Sequence, residues 1–336
     1  MLSPPNSYQS HRLRRRLVTL LLLLVWFGLL ALLLLNRQNI ADYLKLRNYN
    51  PPVAISTLAN QDTMTAYGRR IFYVNHPVLD DKTAFNLVCP NNGGEQTIVL
   101  GCYHSDQDGI FLLSVSDPRL NGVEQVTAAH EMLHGAYDRL SRAERKKVDA
   151  MLLNYYNHDL KDQRIKNVIA AYRKTEPTEV VNEMHSVFGT EVANLPAPLE
   201  QYYKRYFTDR HQITEYAAQY EAEFTSRQNA VTQDDAQLAT MKSQIDAAQA
   251  DLKSKLSVIN AQQASLLAER SSGNVTAYNA GVPPYNSLVD AYNADVQSIQ
   301  SQVASYNQLV TTRNDVALEE DELVKDLTGN AQTINN

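Results

Sequence analysis

Leu17 to Leu35 is an uninterrupted run of nineteen uncharged residues dominated by leucine. Such a run has no polar face to turn toward water, and this restricts it to one local structure. It must be a helix whose backbone groups are satisfied internally, about 28 Å long at 1.5 Å per residue and long enough to cross a bilayer core. Arg12, Arg14, Arg15 and Arg16 stand directly before it. Positive charge packed on that side predicts a cytoplasmic N-terminus, with everything after Asn36 outside. Arg37, Lys45 and Arg47 on the far side reduce the asymmetry without removing it. A cleaved leader is the alternative, but Leu32 to Leu35 run straight into Asn36-Arg37 with no small-x-small site, which favours an uncleaved signal anchor.

The remaining chain is too long for one ordinary core, and its texture changes near residue 212. The expected division is a basic tail over 1–16, a transmembrane anchor over 17–35 and a linker over 36–62, helical at first and then broken at Pro51-Pro52. A mixed domain over 63–211 and a helical region over 212–336 complete it. In the mixed domain a short helix over Thr63 to Tyr73 precedes two β-prone stretches, Phe85 to Cys89 and Thr97 to Tyr103. The turn residues Pro90-Asn91-Asn92-Gly93-Gly94 between them suit a hairpin. Cys89 and Cys102 at its ends would form a disulfide outside the cytoplasm or stay as two buried thiols. Later segments read as helices: Ser141 to Asn157, Asp162 to Arg173, Glu179 to Phe188 and Leu199 to Phe207. A small sheet packed on helices is an α+β arrangement. With 37 acidic and 31 basic residues the net charge is −6 and no dense basic run lies outside the N-terminal tail, so nucleic acid is not an expected partner.

The chemistry is concentrated in His130-Glu131-Met132-Leu133-His134. On a helix His130 and His134 stack on one face and reach one tetrahedral metal, while Glu131 sits beside them, free to take a proton from a water that the metal has acidified. The flanks, Val126-Thr127-Ala128-Ala129 and Gly135-Ala136, carry neither charge nor proline and suit a buried helix. The segment resembles the extended consensus of zinc metallopeptidases, the zincins. That resemblance implies Zn2+ as cofactor, His130 and His134 as ligands, Glu131 as general base and a peptide or protein as substrate.

Metzincins place Gly three and His or Asp six residues after the second His, where this chain has Tyr137 and Leu140. The later run Asn182-Glu183-Met184-His185-Ser186 resembles the third-ligand helix of thermolysin-like gluzincins and implies Glu183 as third ligand, with Glu179 and His185 as the other candidates. Val187 departs from that pattern, which carries there an Asp that orients the first His. Asp138 and then Glu191 are the nearest substitutes. An oxyanion donor is sought among His185, Tyr202, Tyr203, Tyr206 and His211, although aromatics at this spacing also suit packing. The apolar run Gly109 to Val115, ending at Asp117-Pro118, is either a core strand or the edge strand along which zincins bind substrate backbone.

From about His211 apolar residues follow 3,4 spacing, the period of a coiled coil. Leu238, Met241, Ile245, Ala248 and Leu252 form one seam, and Val289, Tyr292, Val296, Ile299, Val303, Tyr306 and Val310 another. Ser271-Ser272-Gly273 and Gly281-Val282-Pro283-Pro284 are expected to break the helix, giving an antiparallel hairpin. Tyr-Asn recurs at 278, 285, 292 and 306. Those tyrosines are seam residues or a recognition stripe for a protein partner. Asn274-Val275-Thr276 is a glycosylation sequon if the host modifies secreted chains. The expected protein is a membrane-anchored zinc peptidase facing out of the cell. The competing expectation is a non-enzymatic adaptor that works through its hairpin.

Overall fold

A computed structural model describes residues 7–89, 100–105 and 109–328. They are mostly helical, with one three-stranded sheet and one apolar N-terminal helix. The chain divides into two compact units, Met1–Ser114 with Val123–Ala217, and Val115–Gly122 with Ala218–Asn336.

Helix α1 (Ser7–Leu35) contains the apolar run, and its Arg14–Leu35 stretch is long and apolar enough to cross a membrane. The segment expected as a linker is helical at first, as expected, in α2 (Arg37–Leu46), but a second helix, α3 (Val53–Gln61), follows the prolines and packs into the core. Ile55, Leu58 and Ala59 enter the core from α3. On α2 the buried Asp42 receives Arg139 through both guanidinium nitrogens, at 2.9 and 3.0 Å, with Arg70 at 3.5 Å. Pro51-Pro52 separates the two helices, as expected of prolines, and Pro52 stands directly before α3. Thr65 caps α4 (Ala66–Val74) by accepting from the Gly68 N–H. Thr63, at φ 51°, is a β-branched residue in the left-handed region. Its carbonyl and hydroxyl are held by bonds to Thr208 and Asp209, which offset that cost.

Strands β1 (Val78–Asp80), β2 (Gly101–His104) and β3 (Gly109–Leu113) form a sheet in the order β1-β3-β2, β1 parallel and β2 antiparallel to β3. Of the two readings of the apolar run, core strand or edge strand, the structure shows the first: β3 is the central strand. Ile110, Leu112 and Leu113 are all buried, so a strand apolar on both faces has taken the position that covers both. Phe85 to Cys89, expected as a strand, is instead mostly helical: Asp81 accepts from the Thr83 and Ala84 N–H groups and starts α5 (Lys82–Val88). A local cap outweighs β-propensity here. Cys89 and Cys102 are joined as a disulfide. The turn at Pro90–Gly94 and the start of the stretch from Thr97 lie outside the described residues.

Helix α6 (Val123–Asp138) carries HEMLH through the middle of this unit, buried along most of its length. It is flanked by α3, α4, the sheet and α9. Side chains alternate along β2, so Gly101 and Tyr103 face α6 while Cys102 and His104 face away. Gly101 is required: a Cβ there would lie 2.6 Å from Thr127 Cγ2 and 2.9 Å from Glu131 Oε1. Helices α7 (Arg142–Asn154), α8 (Gln163–Thr175), α9 (Val180–Glu191) and α10 (Ala197–Tyr203) complete the unit. Arg210 fixes the end of α9, donating to the carbonyls of Val192 (2.6 Å) and Ala193 (3.0 Å) and pairing with Glu200, where a cation also complements the helix dipole.

The second unit is built on α11 (His211–Ser271, from Ala218 on) and α12 (Val275–Thr328). Arg227 pairs with Glu319, Asp235 with Arg313 and Lys255 with Asp295, so advancing along α11 moves backward along α12 and the helices run antiparallel. Ile245, Ile259, Leu266 and Ile299 are buried where the 3,4 spacing puts the seam. The tyrosines at 278, 285, 292 and 306 are half-buried along the same stripe as Ile299. The turn is shorter than expected. Gly273, at φ +77°, closes α11, and Asn274 caps α12 by accepting from the Ala277 N–H. Gly281 to Pro284 do not interrupt α12. Pro283 and Pro284 sit near its N-terminus on the exposed side, where carbonyls left without a helical donor meet water, and Gly281 admits Leu266 of α11, whose Cδ2 would lie 2.6 Å from a Cβ.

Candidate metal centre

Three of the singled-out residues come together. His130 and His134, one turn apart on α6, point their Nε2 atoms at the two oxygens of Glu183 on α9, at 3.6 and 3.5 Å. One ligand atom from each lies within 4.8 Å of the others. A metal with bonds of about 2.1 Å to nitrogen and oxygen spaces tetrahedral ligands about 3.4 Å apart, so these separations fit a shared ion better than direct hydrogen bonds. Glu183 Oε2 is buried without a hydrogen-bond partner, as expected of an oxygen reserved for a cation. Burial would raise the Glu183 pKa, but His134, His130 and a hydrogen bond from Tyr172 outweigh it and hold the carboxyl below the usual range. The charged, metal-binding form is favoured.

The other candidates are placed elsewhere. Glu179 precedes α9 and accepts from Asn182 Nδ2 at 3.3 Å. His185 is fully buried, its Nε2 2.8 Å from the Tyr202 hydroxyl. Burial, reinforced by His134 and His130, pushes its pKa well down, so it is a neutral ring in an aromatic cluster. Tyr202 and Tyr206 bond each other at 3.1 Å, and Tyr203 donates to the His185 carbonyl at 2.7 Å. These tyrosines pack the far side of α9, and His211 opens α11. Neither suggested acid orients a ligand: Asp138 lies 3.7 Å from Arg145, and Glu191 pairs with Arg164 at 2.6 Å.

Asn182 orients the second His of the motif rather than the first. Its Oδ1 is 3.1 Å from His134 Nδ1. With the proton on Nδ1, the Nε2 lone pair turns toward Glu183, and Glu179 in turn fixes the Asn182 amide. Tyr172, on α8, is the second residue not anticipated; its only sequence signal is its place one helix before α9. Glu131 is buried beside His130, under the backbone of β2 at Gly101. The arrangement can hold a divalent cation with a carboxylate base alongside. No protein-family model, curated protein or solved structure matches this chain.

Proposed function

We propose that this chain is a zinc-dependent metallopeptidase of gluzincin type, anchored by α1 with its catalytic unit outside the cytoplasm. The observation that carries the reading is the convergence of His130, His134 and Glu183 beside the buried carboxylate of Glu131. Two imidazoles and one carboxylate form a donor set of catalytic zinc sites, which leave a fourth position open. Bound there, zinc would polarise the scissile carbonyl and lower the pKa of water. Glu131 accepts the proton of the attacking water and returns it to the leaving amine. Asn182 holds the His134 tautomer, and Gly101 leaves room for the Glu131 carboxylate. Substrate backbone lies along β2, at an edge of the sheet among the described residues and against the α6 face that carries Glu131 and His134. The Cys89–Cys102 disulfide supports an oxidising compartment.

Full-length protein in detergent should carry one zinc per chain by elemental analysis. His130→Ala and His134→Ala should abolish it and Glu183→Ala should weaken it severely. Glu131→Gln should keep zinc and fold but lose at least 100-fold in peptide cleavage, since the amide cannot accept the proton (about 10²–10⁴ for a lost general base). Equal cleavage by Glu131→Gln would overturn the mechanism. A zinc-loaded wild type that cleaves nothing in a broad peptide library would favour the adaptor reading.

A further inference from the structure

The face of β2 turned away from α6 carries a second group of metal-ligating atoms. Cys102 and His104 are two residues apart on the strand and so share a face, and Cys89 reaches the same place from the end of α5. His104 Nε2 lies 3.2 Å from Cys102 Sγ, and the three ligand atoms all lie within 4.8 Å of one another. Cys89 is buried; Cys102 and His104 are half-buried.

The imidazole is held there. Gly109 is paired with His104 across the ladder, and its missing Cβ leaves space for the Phe111 ring, which would approach a Cβ to 2.4 Å. That ring meets the His104 ring edge-on, with centroids 5.7 Å apart and planes at 60°. A sulfur and a nitrogen ligand on one tetrahedral metal, with bonds of about 2.3 and 2.0 Å, lie about 3.5 Å apart, close to the present contact. Two thiolates on such a metal lie about 3.8 Å apart, which side-chain rotation reaches from Cα atoms at 6.1 Å.

We propose that Cys89, Cys102 and His104 are a redox-gated second metal site, closed as a disulfide under oxidising conditions and binding one Zn2+ per chain once reduced. The reductant is a dithiol. One thiolate attacks a cysteine sulfur and forms a mixed disulfide with it, the S–S bond breaking as the other cysteine leaves as thiolate; the second thiol then attacks the reagent's own sulfur and releases the first cysteine. Two electrons pass to the protein, which gains two thiols, and the dithiol closes as a disulfide. Binding Zn2+ then releases both thiol protons. Two thiolates and one imidazole are a donor set zinc takes readily, with the fourth position open to water. The site does not depend on the function assigned to His130, His134 and Glu183.

The test uses full-length protein and a His130→Ala/His134→Ala variant, each oxidised or reduced with a dithiol that is removed anaerobically before metal is added. Zinc alone, counted by elemental analysis, should rise by one per chain on reduction in both proteins, and the oxidised double variant should bind none. Cobalt in place of zinc adds a signature: sulfur-to-cobalt charge-transfer absorption, which a histidine-carboxylate site cannot give. It should appear on reduction and vanish in Cys102→Ser. His104→Ala should weaken the second zinc at least 10-fold, with circular dichroism confirming the fold. The proposal is overturned if reduced, folded protein gains neither zinc nor the absorption band, or if His104→Ala binds the second zinc as tightly as wild type. It is also overturned if reduction itself unfolds the chain, since the thiols would then not be held as a site.

Discussion

At the scale of single residues the site depends on a contact with no counterpart in the expected motif. Asn182, next to Glu183, presents its carbonyl oxygen to Nδ1 of His134, whereas the acid of the expected motif would have served the first His. Asn182→Ala removes that acceptor and should weaken zinc affinity about 10- to 100-fold, measured by competition with a chelator. Unchanged affinity would mean that the His134 ring is oriented by packing alone. His130 and His134 were legible as neighbours because helical spacing puts them on one face, whereas the meeting with Glu183 was legible only through the resemblance of the run Asn182 to Ser186 to a third-ligand helix; the structure brings these three side chains together. Asn182 and Tyr172 were not legible in their roles, because these depend on how α6, α8 and α9 pack. Asp62 is another residue that sequence leaves silent: both its oxygens are buried without partners, and burial raises its pKa well above 3.8. The folded chain therefore keeps a proton that the unfolded chain loses. Stability tied to this group is complete below the unfolded pKa and is lost as pH rises through the folded one. Asp62→Asn keeps the shape without that proton, so its stability relative to wild type should grow as pH is raised from about 4 and flatten below. Melting curves across pH on chains lacking residues 1–36 would show it; a difference independent of pH would place Asp62 in a solvated environment.

Elements were legible where periodicity and caps agreed. The flanks of HEMLH name a buried helix and α6 is one; a helix is expected from Ser141, and in the structure Ser141 caps α7 in a capping box with Glu144. They were misread where a local contact outweighed the residue pattern. Asp81 turned a β-prone stretch into α5, and two prolines near the start of α12 were tolerated because their exposed side faces water. The segment 36–62 gave no sign of packing, because its main tie, Asp42 with Arg139, spans 97 residues. That tie yields a prediction. Asp42→Asn leaves the largely buried Arg139 without a counter-charge, and breaking such a pair costs about 3–5 kcal/mol, the lower end applying because Arg70 is partly exposed. Amide exchange in α2 should accelerate and the melting temperature should fall. Unaltered exchange there would mean that apolar contacts alone hold α2 to the core.

For the whole molecule, the sequence placed the change of architecture at residue 212, and the two compact units divide after Ala217, because the first turns of α11 belong to the unit that holds His130, His134 and Glu183. The hairpin was legible in its heptad seams, since an antiparallel pair repeats one contact many times, whereas the first unit is assembled from contacts that each occur once. The last prediction concerns how both units stand to the membrane. Four arginines, Arg12, Arg14, Arg15 and Arg16, stand directly before the apolar run against three more widely spaced basic residues after it, Arg37, Lys45 and Arg47, and Cys89 and Cys102 form a bond that persists in oxidising compartments. Each favours an N-terminus inside and both units outside. Protease added to intact cells should then remove an epitope at the C-terminus and spare one at the N-terminus, and the mature chain should retain residues before Asn36. Replacing Arg12, Arg14, Arg15 and Arg16 with glutamate should scramble that protection, because positive charge flanking an apolar span is what sets its orientation. A mature chain beginning after Leu35 would make α1 a cleaved leader and release both units from the membrane. Protection of the C-terminal epitope in wild type would reverse the topology and put the disulfide in a reducing compartment, where the thiols of Cys89 and Cys102 would be the resting state.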